Sequence, residues 1–130
     1  MKARLKASLP LPFVNESGVI QNLVEEPCGS VAIITSVAGS VRSGHYHLTD
    51  WHYLYVVQGE MRYGSRPVGS EGELEWVTAK EGEMIFTPPL VEHWTEFPVF
   101  TVLISASKLT RTHENHEADL VRLNAAHHPV

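Results

Sequence analysis

Three histidines fall close together at His45, His47 and His52, and a fourth stands alone at His93. Four more, His113, His116, His127 and His128, lie near the end of the chain. In His45-Tyr46-His47, residues i and i+2 of a strand point to the same face. Both imidazoles then project together, as two adjacent ligands of one metal ion require. Leu48-Thr49-Asp50-Trp51 gives the chain room to turn. His52 then opens an apolar segment that can return to the same interior. His93 follows a Pro88-Pro89 turn and starts another such segment. The spacing predicts a ligand set of His45, His47, His52 and His93 around one divalent transition ion. Zinc is the leading candidate, and nickel, iron, manganese and copper also accept imidazole.

The elements that must position these residues read as strands. Val31–Val37, His52–Gln58, Leu74–Thr78 and Met84–Thr87 are rich in Val, Ile, Tyr, Phe and Thr, and turn residues punctuate them at short intervals. Met61–Tyr63 opens a further strand. Gly64–Glu73, with its glycines and Pro67, reads as a surface loop. His93–Ser105 carries one or two strands interrupted near Pro98. No segment keeps a helical period over ten residues; Arg111–Leu123 is either a short helix or a loop leading into an edge strand at Asp119–Leu123. Leu9-Pro-Leu-Pro-Phe13 cannot be a central strand, because proline lacks the ladder donor. Residues 1–13 are therefore expected to form an extended arm, and 124–130 a tail. The whole chain, 1–130, reads as one all-β domain.

Two segments resemble the paired motifs of the cupin family. Gly39-x5-His45-x-His47-x4-His52-x6-Gly59 is similar to the first motif, and Gly82-x5-Pro88-x-Leu90-x2-His93-x3-Phe97 to the second. Together they span 39–59 and 82–97. The resemblance implies a double-stranded β-helix, the jelly-roll barrel, with a metal in its interior. Three positions depart from the pattern. His52 stands where the family has a glutamate ligand, Leu90 where glycine is usual, and Phe97 where asparagine is usual. Four-histidine sites resemble those of single-domain cupins such as polyketide cyclases, and the flanking residues resemble small cupins of sugar pathways. Small cupins commonly pair, so the resemblance also implies a homodimer, with residues 9–23 available for the contact.

Four neutral ligands leave a divalent ion its full charge. That favours Lewis-acid chemistry and makes a higher oxidation state harder to reach. The expected reaction is non-oxidative: isomerisation, cyclisation or elimination on a small carbonyl-bearing metabolite. Three other readings stay open. One is an Fe(II) or Ni(II) dioxygenase, another is a non-catalytic sugar or small-ligand binder. The third is a metal-free sugar ketoisomerase or epimerase whose histidines do acid–base work.

By strand parity, Leu54 and Val56 share the face of His52, and Thr95 and Phe97 that of His93. With Met84 and Phe86 they are expected to line the substrate pocket. Trp51 and Trp94 should point away from the metal. Tyr63 is a possible pocket hydroxyl, Arg66 a loop arginine and Glu92 a solvated charge. His113 and His116 read as an exposed terminal segment, and His127 and His128 as tail residues.

Composition narrows the partners. A formal charge of −5 repels phosphate backbones, so nucleic acid is not expected. No apolar run is long enough to span a bilayer, and no apolar stretch follows the basic start Met1-Lys2-Ala3-Arg4. Cys28 is the lone cysteine, which suits a reducing compartment such as the cytoplasm.

Overall fold

The computed structural model describes residues 6–123, so His127 and His128 lie outside the described residues. In chain order the elements are β1 (Phe13–Asn15), β2 (Gly18–Ile20), β3 (Ser30–Ser36), β4 (Ser40–His47), β5 (His52–Gln58) and β6 (Glu60–Pro67). They continue with β7 (Glu75–Lys80), β8 (Met84–Thr87), β9 (Val91–Phe97), β10 (Thr101–Ser107), α1 (His113–Asp119) and β11 (Leu120–Arg122). β1 and β2 form a separate hairpin, so the arm is followed directly by paired strands. The remaining strands make two antiparallel sheets, in the orders β3-β10-β5-β8 and β11-β4-β9-β6-β7. Among the described residues, no helix is long and apolar enough to cross a membrane.

The sheets face each other across a core of Leu54, Val56, Met61, Tyr63, Ala79, Ile85, Phe97 and Leu103. Alternation selects these side chains. In β5, His52, Leu54 and Val56 are buried while Tyr53 and Tyr55 are only partly so. In β9, Val91, His93, Thr95 and Phe97 turn inward. Burying each large apolar side chain contributes roughly 1.5–3 kcal/mol, which makes this face the main source of the fold's stability.

Two readings of the sequence change here. Gly64, Ser65 and Arg66 are not loop residues; Gly64 and Ser65 pair with β7 on one side and β9 on the other, and Arg66 pairs with β9. Gly64 belongs in a strand because the Trp76 indole lies over it: an added Cβ would come within 2.8 Å of that ring. Arg111–Leu123 is both of the alternatives in succession. The short helix α1 is capped by Thr112, whose side chain accepts from the Asn115 N–H, and β11 then pairs with β4. Seven residues are too few to display a helical period.

Candidate metal centre

β4 supplies two of the histidines and β9 the third, in one sheet. His45 lies directly opposite His93 in the β4–β9 ladder. The register shifts between Arg42 and His45, a bulge that re-aims the strand just before the histidines. Gly44 sits at this bulge because nothing larger fits. An added Cβ would stand 2.1 Å from the indole of Trp94, on the face opposite His93. The fourth histidine comes from the other sheet: His52 opens β5 and pairs with Thr87 of β8.

One donor atom from each of His45, His47 and His93 lies within 4.8 Å of the other two. The His45 and His93 ring centroids are 4.3 Å apart, and those of His45 and His47 are 5.2 Å apart. The His52 ring stands 5.2 Å from His93 and 5.5 Å from His47. Its Nδ1 is buried and has no hydrogen-bond partner among the described residues. Four imidazoles thus meet between the sheets, three as a tight group and His52 beside them.

The surrounding groups fix how the rings face. His93 Nδ1 lies 3.0 Å from the Val91 carbonyl, which can only accept, so Nδ1 carries the proton and Nε2 keeps its lone pair. His47 Nδ1 faces Asp119 Oδ2 at 3.5 Å. Asp119 is itself held by the N–H and hydroxyl of Thr49 and by the N–H of Asp50. Leu90 adopts φ 61°, the left-handed region usual for glycine, and its N–H donates to the His47 carbonyl. Arg111 completes the surround. Its Nε donates to Asp50 Oδ2 at 3.2 Å, and its Nη2 lies 3.4 Å from His47 Nε2.

Donor atoms of His47, Asp50 and Asp119 also lie within 4.8 Å of one another. These carboxylates are already engaged, Asp50 by Arg111 and the Leu109 N–H, Asp119 by Thr49 and Asp50. They support the histidine group from behind.

Burial, then the charge of Arg111 and of neighbouring histidines, lowers the His47 pKa to about 3. Burial and the adjacent histidines hold His52 and His93 well below the usual histidine range. All three are neutral at physiological pH, the state in which imidazole binds a metal. Burial raises the Asp119 pKa, but the Thr49 and Asp50 hydrogen bonds outweigh it, and the carboxyl sits below its ordinary value. Neutral nitrogen donors, a buried Nδ1 without a partner, and rings fixed from behind fit a divalent transition ion.

A cavity of about 440 Å³ opens onto the histidines. Leu54, Thr95 and Phe97 line it, as strand parity predicts. Val56 lies deeper, inside the core. Met84 and Phe86 do not line it. β8 is registered with Ile85 opposite Leu54 and Thr87 opposite His52, so Met84 and Phe86 take the other face, where Phe86 packs on Tyr53 and Trp51. Tyr63 is in the core with its hydroxyl on Thr87 and its ring stacked on His93. Arg66 and Glu92 form an ion pair across β6 and β9, and Glu92 is partly buried. The helix contributes more than expected: His116 is half-buried, lines the cavity, and stands 5.9 Å from the His47 ring. Arg42 and Arg111 also line it. No local spacing announces these residues; only the Asp50 that anchors Arg111 lies within the histidine segment.

Comparison by sequence finds no family model that matches the chain and no similar curated protein. Comparison by structure finds the same architecture in sugar isomerases and epimerases. The QdtA 3,4-ketoisomerase from Thermoanaerobacterium thermosaccharolyticum gives a TM-score of 0.71 at 17% identity, over 94% of this chain and 86% of that one. A dTDP sugar isomerase from Desulfovibrio desulfuricans G20 gives 0.74 at 14% identity, over 96% and 85%. The fold is the cupin jelly roll. A dTDP-4-dehydrorhamnose 3,5-epimerase from Sulfolobus tokodaii gives 0.71 at 14% identity, over 94% and 78%. At these identities the likeness establishes the jelly-roll fold, and the chemistry must be argued from the site itself.

Proposed function

We propose that this chain is a metal-dependent cupin that catalyses a non-oxidative isomerase, cyclase or lyase reaction on a small carbonyl-bearing metabolite. The observation that carries the proposal is the convergence of His45, His47 and His93 donors within 4.8 Å, with the unpartnered Nδ1 of His52 beside them. Zinc is the ion we assign first, on the all-nitrogen donor set. When bound, such an ion supplies Lewis acidity toward a carbonyl oxygen.

The chain's own residues do the rest. The Val91 carbonyl and the Asp119 carboxylate hold the His93 and His47 rings in place. Leu54, Phe97 and Leu103 form an apolar wall that excludes water from the substrate's carbon skeleton. Thr95 and Ser105 place hydroxyls on the same wall, where they can donate to a substrate oxygen. The fold likeness to sugar isomerases and epimerases supports the non-oxidative class.

A second reading is favoured by the Arg111 contact at His47 Nε2. There the histidines would act without an ion, as acid–base groups. The depth of burial of His52 and His93 counts against it, since neither takes up a proton readily.

Solvent-deuterium exchange at the carbon next to the carbonyl tests the proposal. A set of small ketones and keto acids is incubated anaerobically with zinc-loaded protein in heavy water and followed by NMR. Exchange that disappears after chelation supports the metal-dependent reading. Exchange unaffected by chelation supports the acid–base reading instead. Turnover that requires oxygen overturns both.

A further inference from the structure

The cavity is electrostatically one-sided, and this points to the charge of its ligand. The chain as a whole is acidic, at −5. Yet no Asp or Glu is among the described residues that line the cavity, whereas Arg42 and Arg111 both do. Each guanidinium is anchored through its Nε, Arg42 on the Ser36 hydroxyl and Arg111 on Asp50. Arg42 Nη2 donates to the Thr35 carbonyl, and Arg111 Nη2 lies against His47 Nε2. Nη1 of both makes no hydrogen bond among the described residues. Two anchored guanidinium groups with unused donors are built to receive an acceptor from outside the chain.

Asp50 offsets Arg111 from behind, and no acidic residue among the described residues of the wall offsets Arg42. An ion on the histidines would add further positive charge to the same space. An anion would pair with these guanidinium groups through charge-assisted hydrogen bonds, which a neutral ligand would make only more weakly. The geometry points to a small carboxylate, a keto acid, as the ligand of this cavity, with Arg111 and Arg42 receiving its charge. The inference rests on the reading of a carbonyl substrate given above and names its class. The lining separates a keto acid from a nucleotide. Phe97, itself buried, is the one Phe, Tyr or Trp among the described lining residues, so no exposed ring among them offers a platform for a base.

The test is calorimetric titration of the full chain with 2-oxobutanoate, with its neutral amide, and with thymidine diphosphate, each on zinc-loaded and on metal-free protein. The acid is expected to bind at least about tenfold more tightly than the amide, the scale of one charge-assisted hydrogen bond. That preference should persist in metal-free protein and fall away in Arg111→Gln. It should weaken in Arg42→Gln, where the exposed side chain leaves folding intact. Equal binding of acid and amide overturns the inference, as does a preference that survives both substitutions. Tighter binding of thymidine diphosphate than of the acid overturns it in favour of a nucleotide ligand. A preference confined to the zinc-loaded protein and indifferent to both arginines also overturns it, while leaving the metal reading in place. Failure of zinc to bind, with the acid preference intact in metal-free protein, defeats the metal reading alone.

Discussion

Asp119 faces Nδ1 of His47 at 3.5 Å, and it is the last residue of the one helix among the described residues. The C-terminal segment therefore reaches the donor cluster directly. Through Asp119 it also receives hydrogen bonds from Thr49 and Asp50, which follow His47 in the chain. Asp119→Asn keeps the volume and removes the charge behind the ring. Zinc affinity, read by competition with a chromophoric chelator, is expected to drop by about 10–100-fold. Affinity unchanged in a variant with native circular dichroism would mean that the carboxylate holds the Thr49 turn and nothing more.

The donors are unequal. His93 belongs to the group whose donor atoms lie within 4.8 Å, and His52 stands beside it. His93→Ala should therefore weaken zinc binding more than His52→Ala. A cobalt-loaded sample offers an independent reading, since its visible spectrum follows the number of nitrogen ligands. Equal losses in the two variants would place all four rings on the same footing.

Acid should destabilise the metal-free protein through the same residues. His47 is lowered to about 3, and His52 and His93 are also lowered, while unfolded histidines titrate near 6.5. Below about pH 6.5 the unfolded chain binds protons that the folded chain refuses, so stability rises with pH across this range. The contribution is fully present above the unfolded value and is lost as the pH falls below it. Urea midpoints measured with chelator present are expected to fall between pH 7.5 and pH 5. A midpoint that stays level would show that the rings take up protons in the folded state.

Leu90 holds φ 61° in the turn behind His47, a conformation that costs an L-residue roughly 1–2 kcal/mol. Leu90 is 48% exposed, so about half of the roughly 1.5–3 kcal/mol of a fully buried leucine is at stake. Leu90→Gly relieves the strain, and the greater freedom of glycine in the unfolded chain offsets about 0.4–1 kcal/mol of the gain. A melting temperature within a few degrees of the native value is expected, because the strain relieved roughly balances the burial lost and the freedom gained by the unfolded chain. A larger fall would mean that the leucine side chain packs more than its exposure indicates.

Much of this arrangement was legible in the sequence where side chains alternate cleanly. The alternation along His52–Gln58 marks both the bounds of β5 and its inward face. For Met84–Thr87 the sequence marks the bounds of β8 but not its face. Met84, Ile85 and Thr87 are all buried, so the run carries no alternation from which to read parity. Its face is set by its register against β5, a long-range fact. Arg111, His116 and Asp119 are not legible as site residues for a related reason. Their neighbours in the site are distant in the chain, and α1, which carries two of them, is too short to print a period. Gly64 misled because in isolation a glycine marks a turn, whereas here it makes room for Trp76.

The central claim is tested most directly by counting metal ions per chain. Untagged protein is loaded with zinc, dialysed exhaustively against chelated buffer, and measured by elemental analysis beside the His45→Ala/His47→Ala/His93→Ala variant. The account predicts one zinc per chain in the native protein and none in the variant. Native protein that emerges empty, or a variant that retains its zinc, would contradict it.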